Sequence, residues 1–271
     1  MTRRYVRGAL PAVSLAGMVA LVCAASASAA PSAGGISVGP LVRSGRPGVR
    51  PLSSLGRVGN STVVSSNWSG YAATGEKFSD VKGSWVEPSV SCTSRGAQYA
   101  SFWIGIDGYS SSSVEQIGAD SDCQGRNRPS YYAWYEMYPS GSVEIPLSIQ
   151  PGDSMSAEVA VSGSTYTLTI SDSRSGTYRT SQALNGAADS SAEWIAESPE
   201  ICSYTCTLAS LADFGTLSFS GAAATGGSVT GPISAFPNSE IVMETSNGTV
   251  RAQPSPLTAG GSVFSDAWKH S

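Results

Sequence analysis

The stretch Met155-Ser156-Ala157-Glu158-Val159-Ala160-Val161-Ser162-Gly163-Ser164-Thr165-Tyr166-Thr167-Leu168-Thr169-Ile170 decides the fold. Met155, Ala157, Val159 and Val161 alternate with Ser156, Glu158 and Ser162. After Gly163-Ser164, Tyr166, Leu168 and Ile170 alternate with Thr165, Thr167 and Thr169. Strand side chains point to opposite faces in turn, so this pattern reads as a β-hairpin with one buried face. Similar short runs occupy residues 68–73, 81–86, 99–104, 131–137, 192–197 and 217–220, punctuated by Gly, Ser, Asp or Pro. No segment carries a 3.6-residue period and no repeat is visible. Many short strands with turn signals predict an all-β sandwich or barrel. Residues 60–271, about 210 in number, suit one such domain.

Around that domain the chain is uneven. Residues 1–59 hold seven Arg and no acid, a charge of +7, while the remainder carries −11, giving the net −4. Arg3, Arg4 and Arg7 precede an apolar stretch from Leu10 to Ala25, then Ala27-Ser28-Ala29. A basic start, a short apolar core and a small-x-small site predict a secretory signal peptide over residues 1–29. Residues 30–59 are rich in Gly, Pro, Ser and Arg and have no aromatic residue, which predicts a basic propeptide or linker. As a propeptide it would cover an acidic cleft and act as an inhibitor. The expected product is a secreted, extracellular monomer with no membrane attachment after signal cleavage. Charged residues make up 13% and lysines number three, which is not a nucleic-acid-binding composition.

Five cysteines occur, with Cys23 inside the leader. The remaining Cys92, Cys123, Cys202 and Cys206 read as two disulfides in an exported chain. Of three connectivities, Cys92–Cys123 and Cys202–Cys206 close the most local loops. Metal binding is the weaker reading, because no CxxC pair is present. The single histidine, His270, is the penultimate residue, which argues against Ser-His or Cys-His nucleophiles and His-ligated zinc. No Gly-rich phosphate loop sits in a βαβ unit. Carboxylates, amides and aromatics are left to carry any chemistry, with no cofactor.

In Ser191-Ala192-Glu193-Trp194-Ile195-Ala196-Glu197, alternation sets Glu193, Ile195 and Glu197 on one face and Ala192, Trp194 and Ala196 on the other. Tyr131-Tyr132-Ala133-Trp134-Tyr135-Glu136-Met137-Tyr138 spreads five aromatics over both faces of a strand, so some of them line a groove. Sequons begin at Asn60, Asn67 and Asn247. Two readings stand at this level: a glycosidase with a pair such as Glu136 and Glu197, and a carbohydrate-binding sandwich.

Taken together, Ser66-Asn67-Trp68-Ser69-Gly70, Val86-Glu87-Pro88, Trp103-Ile104-Gly105-Ile106-Asp107-Gly108, Gln116-Ile117-Gly118, residues 133–139, residues 192–197 and Phe214-Gly215 resemble the glutamic peptidases, or eqolisins. These motifs keep the family's order over about 150 residues, and only a general strand pattern matches from 232 to 253. The resemblance implies a bent sandwich of two antiparallel sheets and a secreted endopeptidase acting on polypeptides in acid. It also implies insensitivity to pepstatin. Family catalysis uses a Gln and a Glu, which fall on Gln116 as oxyanion donor and Glu197 as general base on water. Only the resemblance chooses Glu197 over Glu193, which reads as a solvated or hydrogen-bonded strand carboxylate. Trp103, Asp107, Trp134 and Glu136 are expected to line the substrate cleft, with Asp107 bracing its Gly-flanked turn. At one position the chain departs from the family: Tyr132 stands where members carry Asp.

Overall fold

The computed structural model describes residues 60–202 and 205–271, together with the backbone of Leu41–Arg43 and Arg50–Pro51. Residues 1–29, expected to be a signal peptide, and most of the basic 30–59 segment lie outside the described residues. In chain order the longer strands are β1 (Asn60–Ser65), β2 (Trp68–Thr74), β3 (Phe78–Val86), β4 (Ser101–Ile106) and β5 (Val114–Cys123). Next come β6 (Pro129–Tyr138), β7 (Val143–Ile145), β8 (Ser154–Ser162), β9 (Thr165–Asp172) and β10 (Gly176–Ala183). The last are β11 (Ser191–Glu197), β12 (Thr216–Gly226), β13 (Asn238–Glu244), β14 (Val250–Pro254) and β15 (Phe264–Trp268).

These strands build two sheets. The front sheet runs β13-β2-β11-β4-β5-β6-β7, with every pair antiparallel. The back sheet runs β10-β9-β8-β3-β12-β15-β14, also antiparallel, and β14 pairs with β13 to join the two. One ladder is parallel, β1 along β13. The predicted hairpin is β8–β9, in register from Met155 opposite Asp172 to Ser162 opposite Thr165. Leu41–Arg43, Glu200–Cys202 and Cys206–Leu208 form a small separate antiparallel sheet, and Arg50–Pro51 pairs with β1. Disulfides join Cys92 to Cys123 and Cys202 to Cys206.

The sandwich core lies between the sheets. Phe102, Ile104, Ile117 and Trp194 of the front sheet meet Met155, Val159, Leu168, Phe219 and Phe264 of the back. A second apolar cluster covers the opposite face of the front sheet: Trp68, Trp103, Val114, Trp134, Ile195 and Ile241. As a result β4, β5 and β11 are buried on both faces. A strand buried on both faces loses the apolar–polar alternation that marks a half-exposed one. That is why β5, whose sequence carries Glu115, Gln116, Asp120 and Asp122, escapes the reading by periodicity.

Candidate active site

Glu197 and Gln116 project from the same face of the front sheet, the one that bears the second apolar cluster. Register fixes the rows. Ala72, Glu193, Gly105, Gln116 and Glu136 lie in one, and Gly70, Ile195, Trp103, Gly118 and Trp134 in the next. Trp68, Glu197, Ser101, Asp120 and Tyr132 form the third. Glycine at 105 and 118 makes the middle of this face possible. A Cβ on Gly118 would stand 2.6 Å from the Trp103 Cβ and 2.2 Å from the Phe102 carbonyl oxygen. One on Gly105 would stand 3.0 Å from the Gln116 Cβ and 3.2 Å from the Trp103 ring. The Trp103 side chain therefore lies flat along the sheet, edge-on to Trp68 at 4.9 Å between ring centroids.

That placement brings the Trp103 indole N–H to Glu197, donating to Oε2 at 2.8 Å. Asn67 Nδ2 donates to the other oxygen, Oε1, at 3.2 Å. Asn67 is held in turn by Ser65, whose hydroxyl donates to Asn67 Oδ1 at 3.1 Å. The Glu197 carboxylate is thus buried with an N–H donor on each oxygen, and these donors favour the anion against the cost of its burial. Asn67 is absent from the residues singled out in the sequence, although it sits in the 66–70 stretch and opens a sequon. At 2% exposure it is a buried donor and no glycan acceptor.

Glu193, two positions earlier on the same face, is treated in the opposite way. The solvated carboxylate expected there is not found: Glu193 is fully buried, and what hydrogen bonding it has comes from the Ser191 hydroxyl and the Tyr109 backbone, with no N–H donor aligned on either oxygen as on Glu197. Burial pushes its pKa well above the usual carboxylate range, Asp107 and Glu115 add to the rise, and Ser191 and the Tyr109 backbone offset part of it. Its row neighbours Ala72 and Gly105 are too small to offer a donor.

Gln116 Nε2 donates to Glu136 Oε2 at 2.7 Å across the β5–β6 ladder. This contact sets the orientation of the amide, leaving the second N–H and Oε1 for another partner. Asp107 adopts a left-handed φ of 71°, a conformation Asp tolerates better than most residues. Its carboxylate accepts the backbone N–H groups of Ala188, Asp189 and Ser190 at 2.7–2.8 Å, and the Ser190 hydroxyl at 3.0 Å. Asp107 thereby ties the end of β4 to the turn that starts β11. Trp134 donates its indole N–H to Asp120 Oδ1. Tyr132 uses its hydroxyl to bridge Asp120 Oδ2 at 2.8 Å and Asp122 Oδ2 at 3.0 Å. One phenol carries one proton, so both contacts are hydrogen bonds only when a carboxyl supplies a second. Burial raises Asp120 to about 6 and, with Asp120 beside it, lifts Asp122 well above the carboxylate range.

Residues 66–261 match the profile of the Peptidase A4 family. The chain belongs to this family. Aspergillopepsin-2 of Aspergillus niger is 34% identical over 194 residues, covering 62% of this chain and 67% of that protein. A scytalido-glutamic peptidase solved with a peptide-based transition state analog superposes with a TM-score of 0.63 at 25% identity, covering 75% of this chain and 98% of that one. The eqolisin SCP-B, solved with the tripeptide Ala-Ile-His, has the same fold, with a TM-score of 0.60 at 24% identity and the same coverage. This Peptidase A4 member is accordingly a glutamic peptidase of β-sandwich fold, and the glycosidase and carbohydrate-binding readings fall away.

Proposed function

We propose that this peptidase is an acid-acting endopeptidase in which Glu197 is the general base on water and Gln116 the oxyanion donor. The observation that carries the reading is the contrast between the two carboxylates on β11. Glu197 holds a well-aligned N–H donor on each oxygen, whereas Glu193 lacks such a pair and its burial, only partly offset by Ser191 and the Tyr109 backbone, favours its neutral form. A base that works in acid must be ionised there, and only Glu197 has the surroundings for it.

In the hydrolytic step Glu197 takes one proton from water while the water oxygen bonds to the scissile carbonyl carbon. The carbonyl oxygen becomes an oxyanion that accepts the free N–H of Gln116. Glu197 then returns its proton to the amide nitrogen as the C–N bond breaks. Positioned proton transfer contributes ~10²–10⁴ in rate, and one amide donor to an oxyanion ~10²–10³. An amide suits the second role because it stays neutral at any working pH. Trp103, Trp134 and Glu136 flank the dyad as the substrate-facing wall. Polypeptides are the substrates. The enzyme is secreted on the 1–29 signal and held inactive by the basic 30–59 segment until processing, then acts as a monomer.

Purified Glu197→Gln and Gln116→Ala proteins, checked for native circular dichroism, should lose casein hydrolysis at acid pH, and pepstatin should leave the parent enzyme active. A folded Glu197→Gln protein with parental activity would overturn the assignment. N-terminal sequencing of secreted enzyme tests processing near residue 60.

A further inference from the structure

Arg251 lies in β14, in the part of the chain where the family motifs are weakest, and it is only 3% exposed. It forms no salt bridge among the described residues. Burial lowers its pKa below the usual guanidinium value, yet a guanidinium stays charged in acid. A buried charge without a counter-ion is costly unless its donors are well used. Here they reach three separate segments. One Nη donates to the Ser66 carbonyl at 3.3 Å, and the other donates to Ser198 Oγ at 3.1 Å and to the Ala209 carbonyl at 3.0 Å.

Two of these acceptors flank the Asn67–Glu197 contact. Ser66 precedes Asn67, and Ser198 follows Glu197. Ser198 also closes the loop between them, its N–H donating to the Asn67 carbonyl at 2.8 Å and its hydroxyl to the Ala209 carbonyl at 2.8 Å. The Arg251 carbonyl is anchored from the other side by the N–H groups of Lys269 at 2.7 Å and His270 at 3.1 Å. The guanidinium fork is thus fixed at its root and spans the ends of the segments that bring donor and carboxylate together.

We propose that Arg251 is a positioning residue for the general base. Its fork sets the distance between Asn67 and Glu197, and so keeps one of the two N–H donors on the carboxylate. This role rests on Glu197 being the base. Removing the clamp lets the Asn67 donor drift, which weakens support for the anion and misplaces the carboxylate relative to the attacking water. A displacement of ~1 Å at such a contact costs up to about a hundredfold in rate.

The test compares the full chain with its Arg251→Met, Arg251→Lys and Ser198→Ala variants on casein, measuring kcat, KM, the pH profile and the melting temperature. Expected for Arg251→Met is a kcat lower by roughly ten- to a hundredfold, KM within about twofold of the parent, and an acid limb moved to higher pH. Arg251→Lys keeps a donor for Ser198 and Ala209 and should recover part of both kcat and the limb. Ser198→Ala should lower kcat in the same direction, which decides the matter if Arg251→Met does not fold. A folded Arg251→Met protein that loses melting temperature but keeps parental kcat and acid limb overturns the role, as does a Ser198→Ala protein with parental kcat. An active, folded Glu197→Gln protein removes the base assignment and this role with it. An inactive Glu197→Gln protein beside a fully active Arg251→Met protein removes this role alone.

Discussion

At the scale of single residues, the proposed base is defined by what donates to it. Trp103 and Asn67 each give Glu197 one N–H, and a hydrogen bond to a charged group is worth ~1.5–3 kcal/mol. Trp103→Phe keeps an apolar ring against Trp68 and removes only the donor. Loss of either donor withdraws that energy from the anion, equal to roughly one to two pH units on the acid limb. Both Trp103→Phe and Asn67→Ala should therefore move the acid limb of kcat/KM upward and lower kcat, as read from casein hydrolysis across pH 2–6 (roughly the carboxylate range). A limb that stays in place in both variants would mean that these donors do not hold the ionised form. Glu193 offers the control: Glu193→Gln replaces a carboxyl that burial keeps protonated with a neutral amide of the same shape. It should leave the acid limb where it was.

At the scale of elements, the site depends on close contact between β4, β5 and β11 as much as on its functional groups. Gly118→Ala would set a Cβ 2.2 Å from the Phe102 carbonyl and 2.6 Å from the Trp103 Cβ, so the β4–β5 ladder must part and Trp103 must move away from Glu197. The expected result is a loss of acid proteolysis larger than that of Trp103→Phe, accompanied by a lower melting temperature. Asp107→Ala acts on the turn before β11. It leaves the N–H groups of Ala188, Asp189 and Ser190 without their acceptor, at ~1–3 kcal/mol for each one that stays buried. A shift of the urea midpoint is the measurement, and a midpoint equal to the parent's would show that water replaces the carboxylate. The legibility of these elements differs in the sequence. The β8–β9 hairpin is visible residue by residue because one of its faces is exposed. β5, which carries Gln116, is buried on both sides and mixes Gly and Asp with its apolar residues, so no periodicity announces it. Gln116, the proposed oxyanion donor, is legible only through the Gln116-Ile117-Gly118 motif.

At the scale of the whole molecule, carboxyl burial sets the pH range of stability. Burial raises Glu87 to about 7, with Asp120 and Asp153 adding to the rise, Asp266 to about 7, and Glu115 to about 8, with Asp107 contributing. In the unfolded chain such groups titrate near ~4. The folded state therefore holds more protons above that point. Its stability is fully present below about pH 4 and is lost as pH rises through roughly 6–8. Asp172, lowered by hydrogen bonds from the Arg174 and Ser175 backbone and the Ser175 hydroxyl against its desolvation, works the other way, but it is one group against several. The melting temperature should fall between pH 4 and pH 8 (the window between the two sets of values); a rise over that interval would contradict the account. Such a protein suits an acidic medium, in keeping with a carboxylate base. The sequence by itself determined the all-β class, the positions of the hairpin strands, the presence of a single histidine and the presence of two carboxylates on one face of residues 191–197. Those properties depend on local alternation and on which side chains exist at all. Only the tertiary structure made the two carboxylates unequal. The donors to Glu197 come from 130 and 94 residues away, the cover over Glu193 comes from other strands, and the Arg251 fork comes from 53 residues beyond Ser198. Desolvation and hydrogen bonding are set by whatever the fold brings near, so neither can be read from the strand that carries the acid.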